Sequence, residues 1–157
     1  MRTGLALVLW VGGTLAAGQV ANLLGGGGEG PFYLRLERPA WAPPASVFGP
    51  VWVVLYVLMG VSAWLVWRER SRKKVGLPLG LFVVHLLFNA AWTWLFFRLR
   101  DIALALGELV ALWVLIVAVG VLFWRVRRLA AALLLPYLLW VSYAAALNFA
   151  LWRMNPS

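Results

Sequence analysis

The chain has 157 residues, 64% of them hydrophobic and 12% charged, with a mean hydropathy of +0.89. A water-soluble domain of this length has no interior large enough to hide so much apolar surface, so the composition places it among integral membrane proteins. The absence of cysteine excludes a disulfide framework, a thiolate nucleophile and a cysteine metal site. The net charge of +9 lies in short loops between apolar runs, where membrane topology explains it and nucleic-acid binding does not.

A spanning helix needs about 20 largely apolar residues. Five runs meet that length, at 5–24, 47–67, 76–97, 102–124 and 129–152. The runs are continuous rather than alternating, and an open sheet cannot satisfy its backbone in lipid. The expected fold is therefore all-α: one domain over 1–157, a bundle of five transmembrane helices. Arg2 and the apolar stretch that follows resemble a signal peptide. The run continues to Leu24, however, and losing it would leave only four spans, so it is read as a span.

The connections at 68–75, 98–101 and 125–128 are tight and make neighbouring spans antiparallel. The first loop, 25–46, is far longer than a bundle needs. It opens on the glycines at 25–28 and stiffens into Pro31, Pro39, Pro43 and Pro44, with Phe32, Tyr33 and Trp41 between them. So apolar a loop is expected to fold over the bundle mouth as a lid. Arg2, Arg68, Arg70, Arg72, Lys73, Lys74, Arg125, Arg127 and Arg128 share one end, against Arg35, Arg38, Arg98, Arg100 and Arg153 at the other. The positive-inside rule then predicts a cytoplasmic N-terminus and an external first loop, in what is expected to be a bacterial cell membrane.

Polar residues at membrane depth normally face the bundle interior. Here they are Gln19, Asn22, His85, Asn89, Glu108 and Asn148. Following the chain direction, Gln19, Asn22, Asn89, Glu108 and Asn148 fall in the half nearest the long loop. Trp52 enters that half too, while His85 and Trp140 lie near the midplane. The layout is a pocket closed at one end rather than a continuous pore. His85, Asn89 and Trp92 share one face of the third span, and Trp140, Ala144 and Asn148 form a stripe on the fifth. An indole beside an alanine makes a slot for a rigid planar ligand, with amides to orient it. The competing reading is helix-to-helix glue. It is preferred for Gln19 and Asn22 and is evenly balanced for Asn89 and Asn148.

Glu108 is expected to be neutral or paired with Arg98 or Arg100. Trp64, Trp67, Trp124 and Trp152 end their spans as boundary anchors, and Trp113 is read as packing. No phosphate loop, Ser-His-acid set or paired carboxylates occur in the spans, and no metal site is expected. Gly76 and Gly80 match the small-xxx-small helix-packing pattern and suggest a homodimer through the third span.

Three blocks carry a resemblance. The first is 33–44, Tyr-Leu-Arg-Leu-Glu-Arg-Pro-Ala-Trp-Ala-Pro-Pro, followed by Trp52; the second is 88–94, Phe-Asn-Ala-Ala-Trp-Thr-Trp. The third runs from Pro136-Tyr137 and Trp140 through Asn148 to Trp152 and Asn155. Together, at this spacing across five spans, they resemble the TspO/MBR family of tryptophan-rich sensory proteins and translocator proteins (peripheral benzodiazepine receptors). The resemblance implies a usually dimeric five-helix bundle that binds tetrapyrroles such as protoporphyrin IX and haem, sterols, and synthetic isoquinoline or benzodiazepine ligands, with no obligatory cofactor. It implies a pocket under the first loop, with Tyr33, Pro43, Trp52, Asn89, Trp140 and Ala144 at ligand-contacting positions. Trp52 and Trp140 match the pair associated with light-dependent porphyrin breakdown in some bacterial members. With the loop and face arguments, the expected ligand set becomes Tyr33, Trp41, Pro43, Trp52, His85, Asn89, Trp92, Trp140, Ala144 and Asn148.

There are departures. Phe32 replaces the tryptophan of the family's Trp-Tyr pair. Phe149 replaces the tyrosine of the C-terminal cholesterol pattern, which favours porphyrin over sterol. His85 stands where an amide is expected, and it is read as a porphyrin-side donor ahead of an axial haem ligand. The expected function is a membrane receptor or sensor for planar tetrapyrroles. Its alternatives are a light-dependent porphyrin-degrading enzyme using Trp52 and Trp140, and a tetrapyrrole or sterol transporter. An apolar closed end offers no alternating route, which weighs against transport.

Overall fold

The computed structural model describes residues 3–26 and 30–156. Arg2 and the Gly27–Gly28 part of the glycine hinge lie outside the described residues. Five apolar helical segments are long enough to cross a membrane: Thr3–Leu24, Ala45–Ser71, Gly76–Leu99, Ile102–Val126 and Arg128–Met154. There is no strand among the described residues. Leu23 is 72% exposed, Leu77 72% and Leu139 70%. Faces of this kind suit lipid and would be an aggregation liability in water.

Helix α1 is Thr3–Leu24, and the short α2, Gly30–Arg35, lies in the long loop. A 3-10 turn over Ala45–Val47 leads into α3, Phe48–Arg68. Helix α4, Gly76–Thr93, widens into a π-helical turn at Trp94–Leu99. Arg100 then turns in the left-handed region (φ 59°), and Asp101 caps α5, Ile102–Val126, its side chain accepting from Leu104 N at 2.8 Å. The last apolar run, expected as one helix, is two: α6, Arg128–Ala132, and α7, Leu135–Met154. Pro136 lacks the N–H that would bond the Ala132 carbonyl, so the helix breaks through Leu133 and Leu134.

Around the bundle, α1 lies against α3 and α4, α5 against α4 and α7, and α3 closes the ring against α6 and α7. The α1–α3 seam is the tightest. A Cβ on Gly60 would lie 2.6 Å from Val11 Cα, and one on Gly18 would lie 2.3 Å from Tyr56 Cε2. Thr14 Oγ1 donates to Tyr56 O across that seam at 2.7 Å. Small residues permit this approach, as is usual between membrane helices. At the basic end Ser62 Oγ donates to Ala130 O at 2.6 Å, and Arg127 pairs with Glu69 at 2.9 Å. The guanidiniums of Arg68, Arg70 and Arg128 lie 4.8, 3.4 and 5.4 Å from the rings of Trp64, Trp67 and Trp124. These pairs suit the boundary, where an amphipathic ring and a snorkelling cation share the headgroup level.

Candidate ligand site at the loop end

On α3, Trp52 and Tyr56 share a face four residues apart. Their ring centroids lie 5.6 Å apart, and Trp52 meets Tyr137 of α7 edge-on at 6.2 Å. Tyr56 Oη donates to Asn89 Oδ1 at 2.5 Å, and Asn89 Nδ2 donates to Tyr137 Oη at 3.1 Å. One amide therefore ties α3, α4 and α7. A second ties α4, α5 and α7 one turn further on: Trp92 Nε1 donates to Asn148 Oδ1 at 3.3 Å, and Asn148 Nδ2 donates to Ile102 O at 2.9 Å. Both asparagines are buried, so their hydrogen bonds are spent on the bundle itself.

His85 is 1% exposed. Its Nδ1 pairs with Phe82 O, and its ring lies between those of Phe82 and Tyr137. The Glu108 carboxylate oxygens are buried with no hydrogen-bond partner among the described residues, and neither Arg98 nor Arg100 pairs with them there. Trp113, expected to be plain packing, donates its Nε1 to Ser142 Oγ at 2.9 Å.

The long loop is fastened to the start of α3 and to the middle and end of α7. Tyr33 is buried, stacks edge-on against Phe48 at 5.3 Å and donates to Pro43 O at 3.0 Å. Burial pushes its phenol above the usual range, an effect partly offset by Arg38, whose guanidinium lies 5.2 Å from the ring. Trp41 meets the Tyr143 ring at 5.8 Å, and Tyr143 Oη donates to Trp41 O at 3.0 Å. Glu37 and Asn155 exchange two bonds, N–H to Oδ1 and Nδ2 to carbonyl, each 2.9 Å. Trp140 packs against Phe48 and Tyr143 at 5.9 and 5.6 Å.

Two cavities result. A cleft of about 560 Å³ opens among α1, α3 and α4, lined by Gln19, Asn22, Trp52, Tyr56, Trp92, Thr93 and Phe97, among others. A gap of only about 20 Å³ lies under the loop, lined by Tyr33, Phe48, Trp92, Phe96, Ala144 and Asn148, among others. Of the expected ligand residues, Trp52 and Trp92 face the cleft. Tyr33, Trp92, Ala144 and Asn148 face the gap. Trp41 and Pro43 make the loop's fastenings, Trp140 packs between α3 and α7 against Phe48 and Tyr143, and His85 and Asn89 line neither cavity. Gln19 and Asn22, read from sequence as helix glue, are exposed on the cleft wall. Tyr56 and Phe97 were missed as lining residues. Tyr56 had a signal, its position four residues after Trp52 on one helical face.

The model of the TspO/MBR family matches residues 5–153. The chain is 38% identical over 154 residues to the translocator protein of Sus scrofa, covering 97% of this chain and 88% of that protein. It is 35% identical over 153 residues to the tryptophan-rich protein TspO of Chlorobaculum tepidum, covering 97% of each. Against protein CrtK of Rhodobacter capsulatus it is 39% identical over 128 residues, covering 81% of this chain and 80% of that one. A five-helix membrane bundle with a long, fastened first loop and matches of this extent has one reading: the chain belongs to the TspO/MBR family of membrane sensor- and receptor-type proteins.

Proposed function

We propose that the chain is a receptor for planar tetrapyrroles of the protoporphyrin type, held in the cleft among α1, α3 and α4 at the loop end. The observation that carries this reading is the cleft itself. Its volume of about 560 Å³ falls within the range of roughly 300–1,000 Å³ typical of small-molecule sites. Trp52, Tyr56 and Trp92 supply flat apolar walls for a conjugated ring. Gln19 and Asn22 at its edge have amides for propionate or pyrrole groups. Haem fits less well than a free porphyrin. His85 is the chain's one histidine, and its ring is buried away from the cleft, with Nδ1 engaged by Phe82 O. Binding rather than degradation is favoured because Trp52 lines the cleft while Trp140 packs against Phe48 and Tyr143, so the two do not flank one ligand.

The test is a dark titration of the detergent-purified protein with protoporphyrin IX, followed by tryptophan quenching and Soret absorbance, then illumination. Trp52→Leu should weaken binding about tenfold, the worth of one well-stacked aromatic contact. Trp124→Phe, at the far end, should leave it unchanged. Absence of dark binding in the wild type would overturn the receptor reading. Light-driven loss of the Soret band that requires both Trp52 and Trp140 would replace it with the enzyme reading.

A further inference from the structure

A third cavity, unrelated to the tetrapyrrole cleft, lies at the opposite, basic end. It is a groove of about 320 Å³ between α5 and the broken start of the fifth span, floored by Gly120, Val121, Ala131 and Leu134 and bordered by Trp124 and Arg125. Its shape follows from two local causes. The break at Leu133 and Leu134 offsets α6 from α7 and opens the wall facing α5. Gly120 leaves the floor bare, since a Cβ built there meets nothing within 4 Å.

We propose that this groove is a binding site for one anionic phospholipid, its acyl chain in the apolar trough and its phosphate on Arg125, with Arg128 beside it. The groove runs through a membrane-spanning segment, so the apolar occupant at hand is a lipid chain. Its polar rim is a cation. Arg125 and Arg128 are exposed, and neither meets a carboxylate within 4.0 Å among the described residues. The one acidic residue of this end, Glu69, is already paired with Arg127. A second copy of the chain would therefore bring no free anion for Arg125, whereas a phosphodiester would. Arg128 leans over the Trp124 ring at 5.4 Å, which holds its guanidinium at the boundary where headgroup phosphates lie. Basic pockets between membrane helices at a positively charged end select anionic headgroups by this chemistry.

The experiment is native mass spectrometry of the full chain released from nanodiscs holding equal phosphatidylglycerol and phosphatidylcholine. One retained lipid is expected, with phosphatidylglycerol favoured about five- to thirtyfold, the scale of one or two arginine contacts at a membrane surface. Arg125→Gln, on an exposed side chain, should abolish the preference without changing thermal stability. Gly120→Leu, growing into open space, should abolish retention of either lipid. Equal retention of the two lipids by the wild type overturns the proposal, as does a preference that survives Arg125→Gln. Retention of an added sterol in place of phospholipid, indifferent to Arg125, overturns it as well. Should Gly120→Leu fail to fold, Arg125→Gln decides alone.

Discussion

At the level of single residues, Asn89 joins three helices with one amide, its oxygen taken by Tyr56 and its nitrogen by Tyr137. Replacing Asn89 with leucine removes both partners at once and leaves two buried hydroxyls unmatched. Such a loss costs about 1–3 kcal/mol for a buried group in water-soluble proteins and about 0.6–1.7 kcal/mol for interhelical bonds in a bilayer. Asn89→Leu should therefore lower the thermal midpoint in detergent by several degrees, with Tyr56→Phe costing less. Because Asn89 lines neither cavity, porphyrin affinity should fall less for Asn89→Leu than for Trp52→Leu. The reverse order would mean that the amide contacts ligand. The depth of Asn89 was legible in the sequence, since counting along an apolar span places a residue between the two faces. Its partners were not legible, because pairing across α3, α4 and α7 depends on how each helix is rotated. The Trp113–Ser142 bond was hidden for the same reason: the partners lie 29 residues apart on different helices, α5 and α7.

Among the elements, the first loop carries the clearest consequence. Its glycines, prolines and aromatics predicted a structured cover, and the geometry supplies the fasteners: Tyr33 to Pro43, Trp41 to Tyr143, and the reciprocal Glu37–Asn155 pair. The helical turn Gly30–Arg35 left no such trace, since six residues with one proline carry no usable periodicity. Nor did the break in the fifth span, where every flanking residue is apolar and Pro136 alone marks it. Arg35 is exposed on the loop and reports its docking through trypsin, whereas Arg38 precedes Pro39 and its bond resists that protease. Tyr33→Phe, with Asn155→Ala added, should raise the cleavage rate after Arg35 several-fold. The docked Tyr33 phenol has its pKa raised above the free value, so docking favours the neutral form. Its contribution is complete below about pH 10 and is lost as the pH rises through the raised value. Cleavage of the wild type should thus be flat from pH 7 to pH 9 once corrected for trypsin's own profile. Loosening at pH 7 would show that some other group fastens the loop.

For the whole molecule, the question is which outer faces meet lipid and which meet protein. Large apolar side chains are exposed on every long helix of the ring, which suits lipid and singles out no partner. The start of α4 carries two exposed glycines at helix-packing spacing. Gly76 and Gly80 are exposed one turn apart, a Cβ on either meets nothing within 4 Å, and Leu77, Val83, Val84 and Leu87 flank them at 72, 48, 41 and 66% exposure. Inside this chain, Gly18 and Gly60 show what bare backbone does when a helix covers it, bringing α1 and α3 into near contact. We propose that Gly76 and Gly80 do the same between two copies. Packing at such a face is steric, so bulk rather than polarity is the perturbation to use. Gly80→Leu should shift the detergent-solubilised protein from dimer to monomer by light scattering, with the dark porphyrin titration unchanged because the cleft lies at the other end. Gly120→Leu, equally bulky but on α5, should leave the dimer intact. A wild type that is monomeric in detergent and uncrosslinked in membranes would remove α4 as a seam and return that face to lipid.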